Sequence, residues 1–372
     1  MTAAVASLFD TVTLGQLELS NRVSVAPMTR ISATSAGLAT DRMVAYYASF
    51  AQGGFGLIIT EGLYTDDRHS PGYVLQPGII NDEQEQSWRH VVDAVHQAGA
   101  KIVAQIMHAG ALVHGNPYGK DSIAPSAVQP RGRKSETYEG AGPYPLPREA
   151  TKADIAKVID GFAMAAKRVK SAGFDGVEIH GANGYLLDEF LTGYTNRRTD
   201  EYGGSTENRV RLLVEVATAV RAAVGDGFTV GVRISQAKVN DFKHKWAEKE
   251  QDAEVIFGRL GRAGLDFIHV SEHEAWKPAF DGGDASLAAL AKKHGQLPVI
   301  ANGGLDDPAR AAELMASGHA DVISLGKGAL ANPDWPGKVE RGQALRKFDA
   351  ERLLHPNARI KAFEAQVSST AV

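Results

Sequence analysis

Residues 174–185 read FDGVEIHGANGY. The run from Phe174 to Ile179 has the apolar, β-branched make-up of a buried strand. After it come a histidine, an amide and a phenol within six positions, His180, Asn183 and Tyr185, with only glycine and alanine between them. Such an exit is either a polar loop or the delivery of side chains to a site. The rest of the chain decides which, because seven more runs share the character of the first half: Arg22 to Ala26, Phe55 to Thr60, Lys101 to Met107, Phe228 to Ile234, Asp266 to Val270, Leu297 to Ala301 and Asp321 to Leu325. Eight such runs are the number that closes a parallel barrel.

Helical segments separate them. In Thr151 to Gly173 a threonine can cap, Asp154 follows three residues on, and Ile155, Val158, Ile159, Phe162, Ala166 and Val169 line one face before glycine stops the helix. Asn81 to Gly99 has the same pattern, and Asp307 to Gly318 opens with proline and closes with glycine. No Pro/Gly/Ser linker divides the chain, so the expectation is one α/β domain over 1–372, a (β/α)8 TIM barrel rather than a doubly wound sheet. Ahead of the first strand, TVTLGQLELSNRV (11–23) alternates apolar and polar residues around Gly15-Gln16, a hairpin that would plug the barrel bottom. After the third strand, 111–150 holds six of the fifteen prolines, and a connection of that length predicts a lid over the active face.

Composition narrows the function classes. With 44% hydrophobic residues, 23% charged residues and a net charge of −4, the chain has no basic stripe, so neither nucleic acid nor membrane is expected as a partner. Cysteine is absent, which removes disulfides, thiolate metal sites and a cysteine nucleophile, and suits a reducing, cytoplasmic setting. The start, MTAAVASLFD, has no basic region followed by an apolar stretch, and no apolar run nears the roughly 20 residues of a membrane span.

In a parallel barrel, chemistry is built where the strands end. All eight exits carry polar or glycine residues: Pro27-Met28-Thr29-Arg30, Glu61-Gly62, Gln105 with His108, His180 with Asn183 and Tyr185, Arg233, Ser271 to His273, Asn302-Gly303-Gly304, and Gly326-Lys327-Gly328. Arg233 lies inside a strand context and needs a partner there. The glycine turns of the last two exits, with Lys327 in the second, match a phosphate cradle. GKGALA (326–331) fits a dinucleotide fingerprint, but no strand with an acidic residue follows it. No metal site is expected: His269 and His273 are over roughly 10 Å apart in an extended context, and no His-Glu-x-x-His occurs. The inner strand ends show no lysine for Schiff-base chemistry and no Gly-x-Ser-x-Gly elbow. The hard chemistry is then expected of an organic, phosphate-bearing cofactor.

NRVSVAPMTR (21–30), LIITEG (57–62), AGFDGVEIHGANGYLLDEFLTGYTNRRTDEYGGSTENRVRLL (172–213), VRIS (232–235), ANGG (301–304) and LGKGALANPD (325–334) together resemble the Old Yellow Enzyme family of flavin-dependent ene-reductases. The likeness runs from about residue 8 to about residue 346. It implies FMN as bound cofactor, NAD(P)H as hydride donor and an activated alkene as substrate, in a ping-pong sequence. It further implies that Ala26, Pro27, Met28 and Thr29 lie along the isoalloxazine. Gly62 and Gln105 would meet its pyrimidine side and Arg233 would face N1 and O2. Gly304, Gly326 and Lys327 would hold the cofactor's phosphate, and Asn302 and Gly303 would also be cofactor-binding. His180 and Asn183 would hold the activating oxygen of the substrate, and Tyr185 would protonate the α-carbon.

The chain also departs from the family pattern. Thr29 and Asn183 resemble the branch typified by the yeast and plant enzymes. Met107 and Ala111 stand where tryptophan and arginine are frequent, and Lys327 replaces a frequent arginine. The stretch 235–246 and the tail after 346 match nothing in the pattern. The same fold and site could serve demethylation, trans-enoyl or nitroester chemistry. A non-catalytic flavin-binding protein and a sugar-phosphate barrel lyase are the alternatives of another class. Monomer and homodimer both stay open.

Overall fold

Eight strands hydrogen-bond side by side in parallel and close on themselves in the computed structural model, which describes residues 3–365. They are β1 (Val23–Val25), β2 (Leu57–Ile59), β3 (Lys101–Met107), β4 (Gly176–Asn183), β5 (Thr229–Lys238), β6 (Phe267–Ser271), β7 (Val299–Asn302) and β8 (Val322–Leu325). The ladders run in chain order from β3 to β8, then through β1 to β2, and a β2–β3 ladder shuts the ring. Helices follow in turn: α1 (Asp41–Gln52), α2 (Asp82–Gln97), α3 (Lys152–Ser171), α4 (Arg211–Val224), α5 (Glu250–Leu260), α6 (Leu287–Gly295), α7 (Pro308–Ala316) and α8 (Trp335–Glu340). The fold is the expected (β/α)8 barrel.

Local signals set the helix ends. Asn81 caps α2 by accepting from the Gln84 N–H, Asp307 caps α7 with Pro308 behind it, and Thr151 and Asp154 form a reciprocal capping box on α3. The hairpin lies where the alternation places it. Its strands, Val12–Leu14 and Leu17–Leu19, meet at Gly15, whose φ of 59° is left-handed. Leu14, Leu17 and Leu19 pack against Leu57, Ile59, Val103, Phe267, Ile300 and Val322 and close the barrel floor.

Residues two apart on a strand share a face. Above the apolar floor, therefore, Val103 gives way to Gln105, Phe267 to His269, Ile300 to Asn302 and Val322 to Ser324. The floor excludes water from below, and in the polar layer above it Gln105, His269 and Ser324 are buried and Asn302 partly so.

Two strands run further than their composition suggests. Glycine and asparagine are poor strand formers, which places the end of β4 at Ile179. The ladder instead pairs His180 with Arg233 and Gly181 with Ile234, then, past a bulge, Asn183 with Lys238. Backbone pairing with a long neighbour overrides propensity. One expectation is corrected as a result, because a lysine does stand at a strand end. Its Nζ is committed, however, lying 2.6 Å from Asp188 Oδ1 with both side chains buried.

The connection 111–150 is tied across its base, where Ile123–Ala124 pairs in parallel with Arg148–Glu149. The chain after α8 returns over the same face as a strap. Arg30, fully buried, donates to both oxygens of Glu364 at 2.8 and 2.7 Å and through Nε to the Ala358 carbonyl at 2.9 Å. Arg359 pairs with Glu139, and the Ala358 N–H reaches the Thr137 carbonyl, so the strap also holds the 111–150 connection. Among the described residues no helix is long and apolar enough to cross a membrane.

Candidate active site

A cavity of about 640 Å³ opens at the carboxyl ends of the strands. Its wall includes Ala26, Pro27, Met28 and Thr29 after β1, Gly62 after β2, Gln105 on β3, His180, Asn183 and Tyr185 from β4, Arg233 on β5, Asn302 on β7, and Gly326 with Lys327 after β8. Gly303 and Gly304 are not in the wall. A Cβ on Gly303 would meet the Glu272 carbonyl oxygen at 2.0 Å, so that glycine serves the approach of the neighbouring turn.

Backbone geometry explains several residue types. A Cβ on Gly62 would lie 2.1 Å from Met107 Sδ, whereas one on Gly326 would find nothing nearer than 3.7 Å. The first glycine lets two walls meet, and the second faces open space. Asn183 has a φ of 65° and Gly184 one of 89°, a pair of left-handed residues that turns the chain off β4. Asparagine tolerates that region better than other side-chain-bearing residues. The turn is held from behind, with the Asn183 N–H donating to Ser235 Oγ at 2.8 Å and the Gly184 N–H to Asp188 Oδ2 at 2.6 Å.

Electrostatics single out Arg233, 5% exposed. Its Nη2 donates to Asn302 Oδ1 at 2.8 Å and Ser271 Oγ at 3.0 Å, but it has no carboxylate partner among the described residues, and Nε has no partner. The nearby carboxylate of Glu178 is taken: Gln105 Nε2 donates to one oxygen at 2.8 Å, and His269 Nδ1 lies 2.7 Å from the other. Burial pulls the Arg233 pKa down, yet a guanidinium keeps its charge in proteins. The chamber thus has a fixed cation on its inner wall with no directly paired carboxylate among the described residues, the Glu178 charge acting on it only from a distance.

The β4 residues are neutral donors. Burial first, and then the charges of Arg233 and His269, hold His180 well below the usual imidazole range, so it is uncharged at neutral pH. Its Nδ1 accepts the Ala182 N–H, which leaves the proton on Nε2. The Asn183 side-chain amide makes no hydrogen bond among the described residues. Tyr185 is 5% exposed, edge-on to His180 at 5.0 Å, and burial raises its pKa.

The structure adds residues that periodicity does not reveal. Tyr73, His114, Tyr138 and Tyr144 line the cavity from connecting segments. Val239, Asn240 and Phe242 line it from the stretch 235–246, and Phe348 and Leu354 from the strap. The two segments without a counterpart in the family pattern are therefore parts of the wall.

Arg233 without a directly paired carboxylate and with an unpartnered Nε, the open Gly326 beside Lys327, and the volume of the chamber fit an anionic, phosphate-bearing organic cofactor such as FMN. A parallel barrel with such a chamber at its carboxyl face is an architecture that can seat a phosphate-bearing cofactor of flavin size. The model of the NADH:flavin oxidoreductase / NADH oxidase family matches residues 7–346. The chain belongs to that family, the Old Yellow Enzymes.

A probable flavin mononucleotide-dependent alkene reductase of Leishmania infantum is 38% identical over 343 residues, covering 90% of this chain and 91% of its own length. The old yellow enzyme homologue of Zymomonas mobilis shares the fold with a TM-score of 0.84 at 35% identity, over 93% of this chain and 95% of its own. Morphinone reductase, solved with tetrahydroNAD, gives 0.81 at 34% identity, over 92% and 93%. Two other curated relatives are longer, and the chain spans about half of each, 51% and 49%.

Proposed function

We propose that the chain, acting over 1–372 as one FMN-binding unit, is an NAD(P)H oxidoreductase that reduces the C=C bond of alkenes conjugated to a carbonyl, nitro or imide group. FMN, when bound, supplies the ping-pong hydride chemistry, accepting from the nicotinamide nucleotide and delivering to the alkene β-carbon. The protein's own residues do the rest. Ala26 to Thr29, Gly62 and Gln105 would flank the ring system, and Gly326 with Lys327 would hold the phosphate, with Gly303 and Gly304 shaping the turn beside it. Arg233, steadied by Ser271 and Asn302, would offset negative charge on the reduced ring.

His180 and Asn183 would donate to the activating oxygen of the alkene and stabilise the charge that develops there. His180 suits this because, uncharged, it binds a developing oxyanion without losing its proton to it. Tyr185 would give the proton to the α-carbon. Its raised pKa keeps that proton in place until a strongly basic carbanion forms. The observation that carries the reading is the convergence of these three side chains and Arg233 on one wall system. Cytoplasmic residence and a monomeric or dimeric state belong to the same reading.

The test is a pair of half-reactions. The purified protein should be yellow, lose its colour with NAD(P)H under anaerobic conditions and regain it with 2-cyclohexenone. In Tyr185→Phe the recovery should slow by roughly 10² to 10⁴, the usual cost of a lost general acid. Recovery at the wild-type rate would show that the proton comes from elsewhere.

A further inference from the structure

Tyr185 does not stand alone. Its phenol oxygen lies 2.6 Å from that of Tyr73, 112 residues away in the chain, and neither hydroxyl has another hydrogen-bond partner among the described residues. Tyr73 is itself buried, at 3% exposure, and its ring is fixed on several sides. It stacks on His114 at 4.9 Å and 25°, leans on Tyr138 at 5.2 Å, and packs with Ile31 and with Ala358 of the strap. A phenol held so firmly has little freedom to turn away from its neighbour.

Each hydroxyl has one proton, so only one of the two can lie between the oxygens. For Tyr185 to protonate a substrate, its O–H must face the chamber. The O–H of Tyr73 must then be the donor in the 2.6 Å bond. We propose that Tyr73 is the positioning residue of the acid: it turns the Tyr185 proton into the chamber and, through its own O–H, stabilises the phenolate left behind. This rests on the reading of Tyr185 as proton donor.

In the step itself the Tyr185 O–H bond breaks and a C–H bond forms at the α-carbon. The electron pair of the broken bond stays on the Tyr185 oxygen. The Tyr73 O–H bond stays intact and points at that oxygen throughout. Solvent returns a proton to Tyr185 before the next cycle. The order of proton loss agrees with the surroundings: burial raises both phenols, but the bond between them lowers Tyr185 and raises Tyr73.

A double-mutant cycle on the FMN-loaded enzyme tests this, with reoxidation of the reduced enzyme by 2-cyclohexenone followed in wild type, Tyr73→Phe, Tyr185→Phe and the double variant. Removing the Tyr73 hydroxyl should slow reoxidation roughly 10- to 100-fold, as expected for a hydrogen bond to a charged oxygen. The same change should have little effect in the Tyr185→Phe background, where no phenolate forms. An equal slowing in both backgrounds would mean that Tyr73 acts by packing, and an unaltered rate in Tyr73→Phe that it does nothing; either overturns the proposal. If Tyr185→Phe itself reoxidises normally, the failure lies in the assignment of the acid. The solvent deuterium isotope effect gives a second readout on the same reaction. It should rise in Tyr73→Phe as proton transfer becomes the slower step, and a slowed rate without that rise also rejects the role.

Discussion

Glu61, at the exit of β2, is 1% exposed and accepts the Arg30 N–H at 2.9 Å, with the Tyr47 hydroxyl at 3.4 Å. Burial outweighs these bonds and pushes its pKa from 4.5 up to about 7. Between those values the native state holds a proton that the unfolded chain has lost. The stability that follows is complete at the acid end of the window and is lost as pH rises through 7, to the extent of about 3 kcal/mol. Glu61→Gln imitates the protonated form at every pH. Its thermal midpoint relative to wild type should therefore climb from pH 5 to pH 8, and a difference that stays constant would show that Glu61 does not titrate there. His180, Gln105 and Arg233 are legible in the sequence because a polar side chain among strand-forming neighbours demands an explanation. Tyr73 and His114 are not, because their rings lie in connecting segments where no period says which way a side chain faces.

Capped helices and the leucine hairpin follow from local chemistry, and they appear in the structure where the chain signals them. The end of β4 does not, because its length is decided by β5, a neighbour distant in sequence. The hairpin invites an element-scale test. Leu17 is 3% exposed against the floor of the barrel. Leu17→Ala leaves a cavity there and should cost about 2–5 kcal/mol, seen as a lower urea midpoint. A midpoint equal to that of wild type would mean that the hairpin is not docked in solution. At the other end the strap rests on a buried ion pair, and neither Arg30 nor Glu364 reveals the other from some three hundred residues away in the chain.

At the scale of the molecule, FMN and folding are linked, because the chamber is assembled from the ends of nearly every barrel strand and exists only in the native chain. Free FMN at about a hundred times its dissociation constant should stabilise the fold by about 2.7 kcal/mol. The thermal midpoint should rise with FMN concentration, and insensitivity to FMN would show that the native chain does not bind it. The strap imposes an order on synthesis. Arg30 is among the first barrel residues to leave the ribosome, and Glu364, which holds it, emerges after all eight strands. A nascent chain can therefore close its barrel while the chamber mouth is still unlatched. The last parts of the chamber wall, Phe348 and Leu354, and the Glu364 carboxylate that holds Arg30 are thus translated only after the final strand.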